Sequence, residues 1–372
     1  MAIGRRIVRA VIIAAMAVMP SAALACTSAI VSAGMNPYGR PLLWKNRDTN
    51  TTDNKVEYVP AKDGCHAYVA LYNARDLNLE EAWMGMNDVG FAVMNTASFN
   101  IKDDKVSARM MDREGFLMTR ALQTCRTVDD FARLLDEYPR PMGVEANFGV
   151  IDASGAGAFF ETNNHSYVKY DLRDAPDGVL VRTNYSHSGR KGQGHGYNRE
   201  ANARHLLAPY IARKEVTAEV LTEVLSRSFY HEARGKRDFA SATGLVLDDE
   251  FIPRHKSTAT IVIEGCIPIA DIDSVIPEDL AGEYVMWTGL GYPPLSEIVP
   301  VWCRPDGVDP ELRGTGSDGH SPMGDRVKAA RDSVFTVKGK RKYVDMPRLR
   351  QRMKDIILKN AETYAKVRED RP

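Results

Sequence analysis

The sequence has no surplus of either charge and few cysteines and histidines. Its 49 Lys and Arg balance 49 Asp and Glu, so it lacks the basic excess that nucleic-acid binding requires. Beyond residue 25, no apolar run approaches the roughly 18 residues of a membrane helix. The five cysteines form no C-x-x-C pair and the histidines no H-E-x-x-H motif, which argues against zinc. We therefore predict neither a metal nor a cofactor, and no nucleic-acid partner.

What the sequence does contain is enough apolar material for a sizeable core. Of its 372 residues, 44% are hydrophobic, and predicted strands and helices come in separate runs without strict alternation. This order favours an α+β layered domain over a doubly wound parallel sheet. We predict that residues 26–303 form this domain. Residues 304–343, rich at first in Gly, Pro, Asp and Ser, are expected to be a linker or surface excursion. Residues 344–372 are expected to form a basic amphipathic helix.

The first 25 residues have the organisation of a secretory signal. Arg5 and Arg6 precede the apolar run Ala10–Met19, and small residues follow up to Ala25. This pattern predicts cleavage between Ala25 and Cys26 and an exported protein, periplasmic or extracellular. In such a compartment the basic C-terminal helix would be placed for a weak contact with anionic envelope components.

Cleavage directly before a cysteine has two interpretations. Cys26 is either a lipid-anchored residue or a nucleophile that processing exposes. A lipoprotein signal usually has Leu three positions before the cysteine, whereas Ala23 stands there. A freed Cys26 would carry an α-amino group with an ordinary pKa of about 7.7 to 8.0, which can act as the base for its own thiol. One residue would then supply both nucleophile and base.

The other four cysteines, Cys65, Cys125, Cys266 and Cys303, leave two alternatives open. In an exported protein with five cysteines, four can pair in three connectivities while one thiol stays free. Alternatively, the four act as small, unpaired apolar side chains in the core.

Several segments in a fixed order resemble a known family. After Cys26 and Thr27 come Gly39–Asp48 (GRPLLWKNRD), Gly85–Asn95 (GMNDVGFAVMN), Phe148–Glu161 (FGVIDASGAGAFFE) and Gly178–Ser186 (GVLVRTNYS). Together they resemble N-terminal nucleophile (Ntn) hydrolases of the choloylglycine hydrolase and penicillin V acylase group, with the related isopenicillin N acyltransferases. The resemblance extends to about Trp302. It implies a four-layer αββα sandwich, here with a C-terminal helical extension.

The resemblance also implies roles for residues near the new N-terminus. Cys26 would be the nucleophile and its own amine the general base. Asp48 matches the aspartate that orients this amine and thiol. Lys45 stands where the bile-salt enzymes have arginine, and lysine is a point charge without a planar fork. Arg47 is the alternative cation.

Three further site residues follow from the same resemblance. Asn95 matches the asparagine whose side-chain amide helps to form the oxyanion hole. Asn184 matches a second active-site asparagine. Arg199 matches an arginine that bridges toward the catalytic centre, with Arg204 one turn later as the alternative. The loop 187–196, rich in Gly and His, is expected either to line the substrate mouth or to be a plain solvent loop.

The function implied is that of a secreted, cofactor-independent amidohydrolase. A cysteine thiolate would attack a linear amide, form an acyl-thioester and release the amine. If another amine takes the acyl group in place of water, the same site is an acyltransferase. A lipid-anchored envelope binding protein and an Ntn scaffold without activity are the competing hypotheses. The expected partner is a small-molecule amide of unspecified identity, and the resemblance suggests a homodimer or homotetramer.

Overall fold

The computed structural model describes residues 25–102, 104–272, 280 and 282–371, so the predicted signal sequence lies outside the described residues except for Ala25. In chain order the strands are β1 Thr27–Val31, β2 Leu42–Asp48, β3 Asn54–Val59, β4 Tyr68–Asn73, β5 Met84–Asn87, β6 Ala92–Ala97, β7 Ala146–Ile151, β8 Gly157–Thr162, β9 Tyr167–Asp171, β10 Val179–Arg182, β11 Tyr230–His231, β12 Arg237–Asp238, β13 Leu245–Leu247, β14 Ser257–Glu264, β15 Val285–Leu290, β16 Val299–Val301, β17 Phe335–Lys338 and β18 Arg341–Asp345. The α-helices are α1 Glu114–Thr124, α2 Val128–Glu137, α3 Tyr197–Arg213, α4 Pro322–Val334 and α5 Met346–Asp370, and a π-helix spans Val220–Leu225.

Two antiparallel sheets form the centre of the molecule. The first has the order β10-β1-β2-β14-β15-β16, and the second runs in sequence order from β3 to β9. Strand β1 therefore lies between β10 and β2, where Ser28 pairs with both Arg182 and Lys45. This register places the start of β1 beside the end of β2, which is where the candidate site lies.

The alternation of side chains along the strands explains the layering. On β1, Ile30 points into the core between the sheets, whereas Ala29 and Val31 face the helices on the outside. Helix α3, the π-helix and the end of α5 cover that outer face, and α1 and α2 cover the outer face of the second sheet. Successive residues of a strand point to opposite faces of the sheet. Because apolar residues occur at both odd and even positions, the outer face of each sheet must also be covered, and helices cover it. The predicted α+β, four-layer αββα architecture is confirmed.

Helix α2 shows how closely local sequence fixes an element. The Thr127 side chain accepts a hydrogen bond from the Asp130 backbone N–H, and the Asp130 carboxylate accepts one from the Thr127 N–H. This reciprocal capping box satisfies two N–H groups that the first helical turn leaves unpaired. Phe131 and Leu135 then bury one side of α2 against the second sheet.

The segment 304–343, expected as a linker, differs from that expectation. It contains helix α4 and the hairpin β17–β18, and β18 pairs with β13 of the main body. Ser321 caps α4 by accepting from the Gly324 N–H, and Pro322 occupies the first helical position, where its missing N–H costs nothing. The Gly and Pro residues that suggested a linker are therefore turn and cap residues of a packed segment.

The C-terminal helix is present as predicted. One of its basic side chains, Arg368, points into the protein and not to solvent. Tyr364 and Val367 of α5 pack on the first sheet. Arg368 donates to the fully buried Glu264 at 2.6 and 2.8 Å and also pairs with Glu219. Among the described residues, no helix is long and apolar enough to cross a bilayer.

All five cysteines are described, and all five are unpaired. Of the two alternatives, the structure shows the unpaired one: Cys125, Cys266 and Cys303 are buried in the core, whereas Cys65 is partly exposed. Burial raises the pKa of Cys125 to about 12 and likewise raises that of Cys303, since a buried thiolate would lack solvation.

Candidate active site

Cys26 lies immediately before β1 and is only 6% exposed. Its thiol is 3.8 Å from the backbone carbonyl of Asp48, because the pairing of Thr27 with Asn46 brings the end of β2 alongside. In this chain Ala25 is joined to Cys26 by a peptide bond, so the α-amino group that the hypothesis requires exists only after cleavage. The carbonyl of Ala25 accepts a hydrogen bond of 3.2 Å from Arg254.

Asp48 is the most densely bonded acid next to Cys26. Arg254 donates to its Oδ2 through Nε at 3.0 Å and Nη2 at 2.7 Å. Its Oδ1 accepts from the Ser257 hydroxyl and, at 3.1 Å, from Asn46. Burial raises the pKa of Asp48, and the positive charges of Arg254 and Arg199 oppose that rise. The carboxylate is therefore fixed in one orientation at the edge of the site.

Arg199, near the start of α3, bridges three parts of the site. Its Nη1 donates to the carbonyl of Cys26 and, at 3.0 Å, to the Thr27 hydroxyl, while Nη2 donates to Asn184 Oδ1 at 2.9 Å. The side chain is fully buried, and burial lowers the pKa of Arg199 to about 10. Arg204, the alternative, pairs instead with Glu200 at a partly exposed position. Of the two arginines, the structure places Arg199 at Cys26.

Lys45 points into the space between the two sheets, toward Asn95. Its ammonium donates to Asn95 Oδ1 at 2.8 Å and to the Trp83 carbonyl at 2.9 Å. Burial lowers the pKa of Lys45 to about 8, and negative charge on Cys26 opposes this shift, so the two groups are electrostatically coupled. A nearby cation favours the thiolate form of a cysteine.

Arg47 is a second buried cation on the same face of β2, two residues further along. It donates to Asn54 and, at 2.8 Å, to Asn73, and its guanidinium lies 5.2 Å from the centre of the Trp83 ring. Burial lowers the pKa of Arg47 to about 10, and negative charge on Cys26 again opposes the shift. Lys45 and Arg47 thus both act on Cys26, but only Lys45 contacts the predicted oxyanion residue.

The two asparagines of the predicted site differ in how many atoms of the side-chain amide are already hydrogen-bonded. Asn184 uses both ends of its amide, donating to the Ala97 carbonyl at 2.8 Å and accepting from Arg199. Asn95 accepts from Lys45, and within the described part of the chain nothing accepts from its Nδ2. Asn95 can therefore donate to a reacting carbonyl, while Asn184 holds Arg199 in place.

A cavity of about 620 Å³ opens beside this cluster. Ala25, Glu250 and Arg254 line this cavity, and His195 lines it from the loop 187–196. His195 is bridged to Asn184 through the backbone, so this end of the loop borders the site. His187 points elsewhere and pairs with Glu200 at 3.2 Å.

Sequence reasoning did not single out Arg254 or Ser257. They lie 206 and 209 residues from Asp48 in the chain and reach it only because β14 pairs with β2. Neither residue belongs to a motif. The sequence therefore marks them only as polar residues at the start of a predicted strand.

Helices on both outer faces of two antiparallel sheets, with a cysteine heading a central strand, define an Ntn hydrolase. Residues 35–237, over half of the chain, match the model of the family Acyl-coenzyme A:6-aminopenicillanic acid acyl-transferase. The protein belongs to this family, as the sequence resemblance predicted, and is thus an amidase or acyltransferase of the Ntn type.

Solved structures with similar folds come from distant proteins. A Caenorhabditis elegans ortholog of N-acylethanolamine-hydrolyzing acid amidase has 15% identity and a TM-score of 0.44, covering 67% of this chain and 95% of that one. A variant of conjugated bile acid hydrolase from Clostridium perfringens has 11% identity and a TM-score of 0.44, covering 74% and 92%. Penicillin V acylase from Agrobacterium tumefaciens has 9% identity and a TM-score of 0.38, covering 74% and 86%. No curated protein matches the sequence significantly.

Proposed function

We propose that this protein is an exported amidohydrolase in which Cys26, once it is the first residue, cleaves a linear amide through an acyl-thioester. The observation that carries the proposal is the set of buried polar groups around Cys26. Arg199 donates to its carbonyl, its thiol lies next to the backbone carbonyl of Asp48, and the ammonium of Lys45, which is coupled to Cys26 by charge, donates to Asn95. A buried polar cluster of this kind is costly to build and is typical of a catalytic centre.

The first half of the reaction makes the thioester. The freed α-amine takes the proton of the Cys26 thiol, and the sulfur attacks the carbonyl carbon of the amide. The carbonyl oxygen becomes negatively charged and accepts a hydrogen bond from Asn95 Nδ2, while the Lys45 ammonium keeps the amide of Asn95 oriented. The α-ammonium returns its proton to the nitrogen as the C–N bond breaks, and the amine leaves.

The second half returns the enzyme to its starting state. Water attacks the thioester carbon, its proton passes to the α-amine, and the acid leaves as the sulfur regains a proton. An amine in place of water would give a new amide, and the name of the matching family favours this acyltransferase alternative. The two reactions differ only in the acceptor.

The proposal is tested on the exported protein. Intact mass and N-terminal sequencing should show Cys26 as the first residue without added acyl chains; a mass higher by several hundred daltons would instead support a lipid-anchored binding protein. A panel of linear amides is then scored for released amine, with and without an added acceptor amine.

Two cysteine variants distinguish the loss of the proposed nucleophile from a general effect of removing a thiol. Cys26→Ala should abolish turnover, whereas Cys65→Ala, which changes a partly exposed thiol elsewhere, should leave it unchanged. Turnover of the same amide by Cys26→Ala would overturn the mechanism. If neither the wild type nor any variant releases amine from the panel while Cys26 is free, the scaffold is inactive on linear amides.

A further inference from the structure

The cavity that Ala25, the residue before Cys26, helps to line is built largely by a part of the chain beyond the region that matches the family. The hairpin β17–β18 turns at Gly339 and Lys340, and Lys340, Arg341 and Lys342 line the cavity. Lys256 lines it from the start of β14. Cations from two segments of the chain about 80 residues apart thus line one cavity. Ala25 and Arg254 line the same cavity.

Most of these cations lack a negative partner. Arg254 is held by Asp48 and Glu250, and Lys342 contacts the ring of His255. Burial lowers the pKa of His255 to about 4, so this ring is neutral and offers Lys342 no charge. Lys256, Lys340 and Arg341 form no ion pair with any residue that the structure describes. Uncompensated like charges around a cavity cost free energy that an anionic ligand would recover.

Carboxylates in the same wall reduce this positive field only in part. Asp248, Asp249 and Glu250 also line the cavity. Glu250 is engaged by Arg254 and Arg199, at 3.7 Å from each. Burial raises the pKa of Asp248 to about 6. Glu250 is thus committed to the two arginines, whereas Lys256, Lys340 and Arg341 form no ion pair within the described residues.

The hairpin is rigidly attached to this wall. The Asp248 N–H donates to the Lys342 carbonyl at 2.9 Å, and β18 pairs with β13 at Val246. Gly339 has a φ of +62°, which lets the chain reverse in two residues. Arg341 is therefore presented by paired backbone and Lys340 by the tight turn directly before it, and this restraint lowers the entropy cost of binding a ligand.

We propose that Lys256, Lys340 and Arg341 form the specificity site for a carboxylate carried by the amide substrate, so that the enzyme acts on amides with an anionic end. This inference rests on the proposed function, because it takes the cavity to be the substrate mouth. At about 620 Å³ the cavity has the size of a small-molecule site. The three residues touch substrate away from the reacting atoms and set its selection.

The test uses two substrates that share one scissile amide and differ only in a terminal carboxylate or its neutral carboxamide. We expect the processed wild type to prefer the carboxylate in kcat/KM at low salt. The double variant Lys340→Gln/Arg341→Gln should lose about tenfold of this preference, because the kcat/KM of the carboxylate falls while that of the carboxamide stays. The preference of the wild type should also shrink at high salt, which screens exposed charges.

A matched control carries the same change of net charge elsewhere. Lys62→Gln/Lys338→Gln removes two exposed cations, one of them from the same hairpin, and neither lines the cavity. Its preference should equal that of the wild type. Equal kcat/KM for the two substrates in the wild type, or an unchanged preference in the Lys340/Arg341 variant, would overturn the inference.

Binding to an inactive form keeps this test separate from the proposed chemistry. Titration of Cys26→Ala with an N-acyl amino acid and with its carboxamide should show tighter binding of the acid, and the Lys340/Arg341 changes should remove the difference. If the acid binds selectively but no amide is ever cleaved, the chemistry fails and the anion site stands. If amides are cleaved without regard to charge, the anion site fails and the chemistry stands.

Discussion

Lys45 donates a hydrogen bond of 2.8 Å to Asn95 Oδ1 across the interface of the two sheets. The bond fixes the orientation of the Asn95 amide, because a lysine ammonium can only donate and thus selects the oxygen. The Nδ2 donor is left for another acceptor. This hydrogen bond thereby joins Lys45 of β2, the strand that pairs with the one after Cys26, to Asn95 on β6, the predicted oxyanion donor.

This contact makes Asn95→Asp an informative substitution. Aspartate keeps an oxygen for Lys45 but offers no N–H to a developing oxyanion. We expect kcat to fall about 100- to 1,000-fold, the usual loss when one such donor is removed, with a much smaller change in KM. Steady-state kinetics measure both parameters, and thermal unfolding serves as the control for folding. A kcat within about threefold of the wild type would show that Asn95 does not bind the oxyanion.

The lowered pKa of Lys45 predicts an alkaline limit of activity. Burial lowers its pKa to about 8, so the ammonium is lost as the pH rises through that value, and kcat/KM should fall. In Lys45→Arg the cation persists to higher pH, since arginine has the higher ordinary pKa, and the falling limb should move up toward pH 10, the value to which burial lowers the pKa of Arg47 beside it. A pH–rate profile of both proteins measures this shift. An identical alkaline limb in the two would assign it to a different group.

The effect of Lys45 on folding stability should not distort this pH–rate profile. The folded protein holds the Lys45 proton less tightly than the unfolded chain, whose lysine titrates near 10.5. Between these values the unfolded state binds more protons, so the Lys45 contribution makes folding more favourable as the pH rises. A loss of activity above pH 8 is therefore not expected to reflect unfolding through this residue.

Arg254 should act as the positioning partner of Asp48. In Arg254→Gln, Asp48 would remain buried without its bidentate partner, and we expect the free energy of unfolding at neutral pH to fall by about 3 kcal/mol. The deficit should shrink at acid pH, because a protonated Asp48 needs no counter-charge. Denaturant unfolding at several pH values measures this trend. Arg254→Lys keeps the charge and should recover part of the stability; a deficit independent of pH would contradict the role.

Gly196 should matter for activity through Arg199. It directly precedes α3 with a φ of +93°, and an added Cβ would meet the Arg199 guanidinium and the Thr183 side chain. Gly192 has a φ of +73° with open space around it. Alanine at either position carries the backbone cost of about 1 kcal/mol, but only Gly196→Ala should displace Arg199 and lower kcat by about 10- to 100-fold. Equal kcat values in the two variants would rule out this displacement.

The sequence by itself determined the α+β class, the family and the identity of the candidate residues. These follow from local patterns: apolar alternation, the Thr127 cap, and short motifs around Cys26, Asn95 and Asn184, each of which acts through neighbours in the chain. The sequence left open whether Lys45 or Arg47, and Arg199 or Arg204, occupies the site.

Only the tertiary structure decided which cations lie near Cys26 and which partners hold them. Arg254 reaches Asp48 from 206 residues away, and the hairpin at Lys340 closes a cavity that begins at Ala25. Such contacts depend on strand register and on which sheets pack together. Register is a property of paired strands, and no single segment of the chain encodes it.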